Sequence, residues 1–262
     1  MKLDGVRRTE ALWGTMITVE IPQRVEEGTV EAVYRWFRRV DDLFSTWRLD
    51  SEISRLARGD LELRETSTEV RTVLDLCDEI TEETRGAFDV RLAADPRVTR
   101  RDGLGLIDPS GMVKGWALEQ AANQLRNHSV FNFAINAGGD VVVGGHPRSA
   151  DFWRVGIQHP WERHKVAAVV LLTDVTIATS GRYERGDHII DPRTGQPATG
   201  LAAATVISTD GARADAYATA TLAMGQTGVE WLADRVDLAA ATIGDDRVVT
   251  TTPSFGELRA DP

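Results

Sequence analysis

Residues 131–143, FNFAINAGGDVVV, place two apolar, β-branched segments on either side of Gly138 and Gly139. A Gly-Gly pair between two strand candidates is first of all a hairpin turn, because glycine accepts the positive φ that a tight turn requires. A hairpin pairs its two strands in antiparallel fashion. The alternative, a glycine-lined contact with a ligand, remains open at this point.

Helical periodicity dominates the sequence before this hairpin, and strand patterns dominate the sequence after it. Apolar residues recur at three- and four-residue steps from Val30 to Phe44, which predicts an amphipathic helix that ends near Ser45. Further helices are predicted over residues 51–57, 66–84, 113–127 and 215–224, and further strands over residues 12–21, 153–157, 167–172 and 203–208. Helices and strands come in blocks without regular βαβ alternation, so the predicted class is α+β, with largely antiparallel sheets and packed helices.

Composition limits the classes of function. The 262 residues carry 42% hydrophobic and 27% charged side chains, and no linker-like stretch divides them, so we expect one domain over residues 1–262. The net charge of −10 argues against nucleic acid and acidic membrane surfaces as partners. Without an apolar leader, a lipid-attachment cysteine or a run of roughly 20 apolar residues, a soluble cytoplasmic protein with no membrane anchor is expected.

Several common catalytic signatures are missing from the sequence. It contains no phosphate-binding loop of the G-x-x-x-x-G-K-[ST] type, no G-x-G-x-x-G, no H-E-x-x-H and no G-x-S-x-G. No two of the five histidines are four residues apart, which disfavours a zinc helix. Cys77 is the only cysteine, so an intramolecular disulfide and a multi-thiolate metal site are excluded.

Asp215 and Thr219 lie four residues apart on a predicted Ala-rich helix and therefore share one face. A carboxylate and a hydroxyl at one point leave most of an octahedron open for phosphate oxygens and water, as Mg²⁺ prefers at phosphate-transfer sites. The alternative is an ordinary packed helix whose Asp and Thr face solvent, and this segment alone favours that alternative.

Two further segments contain candidate polar groups. His188, flanked by acids just before an Asp-Pro turn, suits a general base that takes a proton from a hydroxyl, although it is equally a polar residue of a surface turn. Gly111 exposes backbone groups before a predicted helix, and Lys114 at the start of that helix is placed to contact phosphate. Otherwise this segment is an ordinary helix entry.

Taken in order, these segments resemble the motifs of the FAD:protein FMN transferase (ApbE-type) family. The resemblance covers most of the chain and rests on residues 13–15 (WGT), 45–47 (STW) with Ser51, 86–89 (GAFD), 108–115 (DPSGMVKG), 136–140 (NAGGD), 178–181 (ATSG), 188–195 (HIIDPRTG) and 214–219 (ADAYAT). It implies an α+β fold related to the tunnelling fold, with FAD bound in a cleft and Mg²⁺ on its diphosphate.

The resemblance also implies roles for individual residues. It makes Asp215 and Thr219 side-chain ligands of Mg²⁺ and the Gly111 carbonyl a third ligand, and it makes His188 the group that assists the acceptor hydroxyl. The residues that it places around FAD are Trp13 and Trp47 against the isoalloxazine ring, with Ala87, Phe88, Asp89, Asp108 and Ile189 along the site. Trp13 and Trp47 replace the family's usual Met and Tyr, and the segment up to Asp108 is shorter than is common.

The function implied is a Mg²⁺-dependent transfer of the FMN moiety of FAD to a Thr or Ser hydroxyl of an acceptor protein, with release of AMP. One alternative is an FAD pyrophosphatase, which passes FMN to water. The other is a non-catalytic flavin-binding protein, which the two tryptophan replacements make credible.

Overall fold

The structure is a computed structural model that describes residues 5–92, 106–182 and 189–260. Its α-helices are α1 (Thr29–Phe44), α2 (Glu52–Arg58), α3 (Thr68–Glu83), α4 (Ser110–Asn127), α5 (Gly211–Met224), α6 (Gln226–Ala233) and α7 (Pro253–Leu258). Its strands are β1 (Val6–Leu12), β2 (Thr15–Ile21), β3 (Arg91–Leu92), β4 (Leu106–Ile107), β5 (Phe133–Ala137), β6 (Asp140–Gly144), β7 (Trp153–Gln158), β8 (Val166–Leu172), β9 (Thr176–Gly181), β10 (Ile190–Asp191), β11 (Gln196–Pro197), β12 (Leu201–Ser208), β13 (Ala239–Gly244) and β14 (Val249–Thr251).

Within the described residues, the main sheet has the strand order β1-β2-β5-β6-β9-β12-β13-β14, and every neighbouring pair is antiparallel. Three short hairpins, β3 with β4, β7 with β8 and β10 with β11, lie outside it. The predicted α+β class with antiparallel sheets is therefore confirmed. None of the helices in the described ranges is long and apolar enough to cross a membrane.

The main sheet consists of two four-stranded halves. Helices α1 to α4 lie between β2 and β5 in the chain, and α5 and α6 lie between β12 and β13. The halves meet where β6 pairs with β9, with Val141 opposite Ile177 and Val142 opposite Thr176. This narrow junction lies in the middle of the sheet.

Helices α4 and α5 approach each other unusually closely. A Cβ added at Gly115 would lie 2.0 Å from the carbonyl oxygen of Gly211, and one added at Gly211 would lie 2.6 Å from the carbonyl oxygen of Gly115. Only residues without a side chain fit such a crossing. The sequence thus brings two helix backbones into direct contact, and the candidate site lies along this contact.

The glycine hairpin of residues 131–143 is confirmed as β5 and β6, with φ of 63° at Gly138 and 106° at Gly139. The strand predicted over residues 12–21 forms as β2, Thr15–Ile21, but its predicted start is wrong, because the chain turns at residues 13–14 after β1. Trp13 adopts a φ of 55° in that turn and Gly14 a φ of 70°. A left-handed tryptophan is uncommon, and the apolar sequence around it conceals the turn.

Candidate active site

Asp215 is buried on α5, with 3% of its surface exposed, among alanines that let the helix pack tightly. Its Oδ2 accepts a hydrogen bond of 3.0 Å from the backbone amide of Gly115 on α4. The glycine crossing makes this bond possible, since any side chain at residue 115 would lie within 2.8 Å of the Asp215 Cβ. The carboxylate is thus fixed between the two helices and away from bulk water.

Thr219 lies one turn further along α5 and meets two other elements. Its Oγ1 donates to the carbonyl oxygen of Gly111 at 3.3 Å and shares a hydrogen bond of 3.0 Å with the Oγ of Ser180 on β9. A Cβ at residue 111 would lie 3.1 Å from that hydroxyl and 3.4 Å from the ring of Phe88. Helix α4 begins at Ser110, three residues earlier than the predicted residue 113, so Gly111 lies in its first turn. The carbonyl oxygen of Gly111 faces Thr219.

Lys114 and Asp140 complete the cluster. The Lys114 ammonium donates to Oδ2 of Asp140, while Oδ1 of Asp140 accepts a bond of 3.0 Å from the Thr179 amide. Burial raises the pKa of Asp215 to about 7; the charge of Lys114 opposes this rise and the charge of Asp140 adds to it. Burial thus disfavours the ionised form of Asp215, and a cation bound at the site would favour it.

This donor set fits Mg²⁺. The Asp215 carboxylate, the Thr219 hydroxyl and the Gly111 carbonyl are hard oxygen ligands, and a cation beside them would stabilise the ionised form of the buried carboxylate. No group of three or more His, Cys, Asp or Glu side chains suited to a metal is found in the described ranges, so a site of purely ionisable ligands is not present there. Such a mixed set leaves coordination positions for the oxygens of a ligand.

The segment 86–89 packs against the same cluster. Ala87 and Phe88 are buried, and the Phe88 amide donates to Oγ1 of Thr84 at the end of α3. Asp89 is partly exposed and its Oδ1 accepts from the Arg91 amide at 2.8 Å. Phe88 therefore forms part of the wall beside Gly111, whereas Asp89 lies at the surface end of the segment.

Asp108 and Ile189, two further residues predicted to line the FAD site, lie on separate segments of the chain. The Asp108 amide donates to the carbonyl of Val90 at 2.8 Å, and its Oδ1 accepts from the Ser110 amide at 3.0 Å. Asp108 thus joins the 86–89 segment to the start of α4. The carbonyl of Ile189 accepts from the Ala198 amide at 2.9 Å, which fixes the partly exposed Ile189 at the base of the β10–β11 hairpin.

The β10–β11 hairpin also reaches the 86–89 segment. Asp191 is buried and accepts two bonds of 2.9 Å from the guanidinium of Arg193, and the Cγ of Arg193 lies 3.7 Å from where a Cβ at Gly86 would be. The predicted base, His188, lies outside the described residues. The residues that follow His188 lie beside the predicted FAD segment, because Asp191 holds Arg193 against Gly86.

The two predicted flavin-contacting tryptophans differ in their surroundings. Trp13 packs its ring edge-on against Phe37, 5.2 Å between centroids, and its Nε1 donates to the Phe37 carbonyl at 3.0 Å. Trp47 is 86% exposed in the loop between α1 and α2. Arg48, which pairs with Asp41, Asp42 and Asp50, holds this loop. Trp13 is therefore anchored to the core, and Trp47 presents a bare aromatic face to solvent.

Asp140 and Ser180 are site residues that the sequence reasoning missed. Both lie in segments that it quoted, 136–140 and 178–181. The sequence does contain a signal for Asp140: an acidic residue directly follows a Gly-Gly turn and precedes three valines. A carboxylate at the start of such a buried strand needs a cation, so this pattern indicates a charged partner. Ser180 carries no comparable signal, because a hydroxyl is tolerated in any strand.

The fold and the cluster together define a class: antiparallel α+β proteins related to solved flavin transferases. The flavin transferase ApbE from Vibrio cholerae superimposes with a TM-score of 0.83 at 24% identity, covering 97% of this chain and 99% of that structure. The ApbE protein from Thermotoga maritima superimposes with a TM-score of 0.85 at 23% identity, covering 98% and 100%. Both likenesses concern the fold.

The sequence match is more specific than the fold. The model of the ApbE family matches residues 13–100 and 90–242, so the chain belongs to the ApbE family, which confirms the resemblance inferred from the motif order. A protein of Vibrio cholerae named FAD:protein FMN transferase is 28% identical over 240 residues, covering 73% of this chain and 72% of the relative. One of Rhodobacter capsulatus with the same name is 37% identical over 163 residues, covering 59% of this chain and 30% of the relative.

The chain thus spans under a third of the Rhodobacter capsulatus relative and most of the Vibrio cholerae one. The relatives are named for an enzymatic activity, and the family to which the chain belongs is one of enzymes.

Proposed function

We propose that this chain transfers the FMN moiety of FAD to a Thr or Ser hydroxyl of an acceptor protein and releases AMP. The observation that carries the proposal is the contact of two successive turns of α5 with the start of α4, in a member of the ApbE family: Asp215 meets the Gly115 amide and Thr219 meets the Gly111 carbonyl. The hard oxygen atoms of Asp215, Thr219 and the Gly111 carbonyl, and the burial of the Asp215 carboxylate, support Mg²⁺ as the cofactor, held by these three oxygens.

The residues of the chain divide the work on FAD. Lys114 and the amides at the start of α4 favour the negative charge of the diphosphate. Phe88 and Ala87 form an apolar wall, with Asp89, Asp108 and Ile189 along the same site. Bound Mg²⁺ would neutralise the diphosphate and stabilise the AMP leaving group.

The flavin ring has two tryptophans available. The exposed face of Trp47 is suited to stacking on the isoalloxazine, and an indole offers a large apolar surface for this contact. Trp13, fixed by Phe37, would support the ring from the hairpin turn. The anchored loop around Arg48 supports this arrangement, since a stacking residue is effective only when it is held in place.

The chemical step assigned to this site is phosphoryl transfer. His188 removes the proton of the acceptor hydroxyl, and the oxygen attacks the phosphorus that carries the flavin. The bond between this phosphorus and the bridging oxygen breaks, and its electron pair leaves with AMP. A phosphoester between the acceptor protein and FMN results.

We further propose that residues 1–262 act as one functional domain in the cytoplasm, with FAD and an acceptor protein as partners. The net charge of −10 disfavours nucleic acid or a membrane surface as a partner, which supports this choice of partners.

The test is incubation of the purified chain with FAD, Mg²⁺ and a panel of flavoprotein acceptor domains, followed by AMP quantification and in-gel flavin fluorescence. We expect equal amounts of AMP and covalently bound flavin, loss of both in EDTA, and loss in Asp215→Asn and His188→Ala. Asp174→Asn is the matched control, because Asp174 is a surface aspartate that, like Asp215, accepts from a glycine amide.

The same assay separates the alternatives. Free FMN with AMP, and no flavin bound to an acceptor, identifies a pyrophosphatase, and tight FAD binding without AMP identifies a flavin-binding protein. Either result, obtained with the full acceptor panel, contradicts the proposed transfer.

A further inference from the structure

Asp140 joins two elements of the site with its two carboxylate oxygens. One oxygen accepts from the Lys114 ammonium on α4, and the other accepts from the Thr179 amide on β9 at 3.0 Å. Its side chain is only 2% exposed, whereas the Lys114 side chain is 36% exposed. The aspartate is therefore a fixed point, and the flexible lysine is the partner that it immobilises.

Lys114 has a second carboxylate within electrostatic range, that of Asp215. Asp215 accepts from the Gly115 amide, the residue next to Lys114 in α4, so the two carboxylates flank the same turn of the helix. A buried carboxylate without a counterion attracts the nearest ammonium. The pairing of Lys114 with Asp140 therefore keeps this ammonium from neutralising the Asp215 carboxylate.

We propose that Asp140 is a positioning residue that keeps the Lys114 ammonium paired and thereby leaves Asp215 to a divalent cation. The inference rests on the proposed function in one respect, namely that Asp215 is a ligand of Mg²⁺. Without the charge of Asp140, the ammonium pairs with Asp215 and competes with the metal. Lys114 then inhibits metal binding, although it favours the diphosphate in the intact site.

The experiment is calorimetric titration of the purified chain with Mg²⁺ in the absence of FAD. In Asp140→Asn the side-chain oxygen still accepts from the Thr179 amide, but the new NH₂ group cannot accept from Lys114. We expect Mg²⁺ affinity to fall about tenfold, as for the loss of a charge-assisted pair. Asp174→Asn makes the same atomic change between β8 and β9, where Asp174 accepts from the Gly145 amide, and should leave the affinity unchanged.

The decisive variant is the double substitution Asp140→Asn with Lys114→Met. Removal of the competing ammonium should restore Mg²⁺ affinity to within about threefold of wild type, a compensation that independent structural damage does not produce. If Asp140→Asn binds Mg²⁺ as wild type does, or if the double variant is as weak as Asp140→Asn, the inference is wrong.

Failure of the proposed function gives a different pattern. In that case wild type binds no Mg²⁺, or Asp215→Asn binds it as well as wild type does, and the metal site itself is misassigned. Melting temperatures of all variants, measured alongside, identify any that fail to fold.

Discussion

Substitution of Gly115 by alanine tests whether the glycine crossing of α4 and α5 positions the site. The added methyl group would lie 2.0 Å from the Gly211 carbonyl oxygen and 2.8 Å from the Cβ of Asp215. Carbon and oxygen normally approach no closer than about 3.3 Å, so the helices must separate by about 1 Å. The Gly115 amide, now 3.0 Å from Oδ2 of Asp215, would move away from the carboxylate.

The magnitude follows from three contributions. Overpacking costs about 3 kcal/mol, alanine's helix propensity offsets about 1 kcal/mol, and loss of the hydrogen bond to a buried carboxylate costs about 1.5 kcal/mol. The net loss of about 3.5 kcal/mol lowers the melting temperature by about 10 °C in a chain of this size. A displacement of about 1 Å at the reacting groups lowers the rate by about 100-fold.

The assay compares thermal unfolding by circular dichroism with the rate of AMP release. The control is Gly256→Ala, because Gly256 also lies in a helix but has open space where the methyl group would be. It should melt at or slightly above the wild-type temperature. A shift of less than about 2 °C corresponds to less than about 1 kcal/mol. If Gly115→Ala melts within that range of wild type and retains AMP release, the close crossing does not position the site.

Three further predictions concern other regions. Trp47→Ala should weaken FAD binding, measured by flavin fluorescence, without changing the melting temperature, because the side chain is 86% exposed; equal affinity would remove Trp47 from the site. Cys77 should resist a thiol reagent at pH 8 until the chain is denatured, because burial raises the pKa of its thiol to about 12; fast labelling of the folded chain would contradict this. Burial raises the pKa of Glu119, whose carboxylate accepts from the Gly211 amide. The wild type should therefore lose stability relative to Glu119→Gln as the pH rises from below the ordinary pKa of a glutamate through the raised pKa of Glu119. If urea unfolding shows the same pH dependence of stability for both proteins over that range, the prediction is contradicted.

The sequence predicts best those elements whose periodicity and turn residues agree. Helix α1 and the hairpin of β5 and β6 have both, and they form close to the predicted residues. The hairpin of β1 and β2 was missed because its turn contains Trp13 in a left-handed conformation, which residue preferences do not favour. Strand β13, AAATIG, was missed because alanine is depleted in strands, and only burial within the sheet overrides that preference.

The site was predictable in its local part alone. Asp215 and Thr219 are four residues apart, and helix geometry alone places two such residues on one face. That Gly111 lies 108 residues before Thr219 in the chain but within hydrogen-bonding distance of it depends on how α4 crosses α5. Asp140 escaped notice for the same reason, since its partners Lys114 and Thr179 belong to two other elements.

The narrow junction between the halves of the sheet has a consequence for ligand binding. Asp140 belongs to β6 in one half and Ser180 to β9 in the other, so the cluster lies across the junction where two neighbouring strands of the described sheet share only two residue pairs. A ligand that contacts both Asp140 and Ser180 would therefore add a link between the two halves of the sheet.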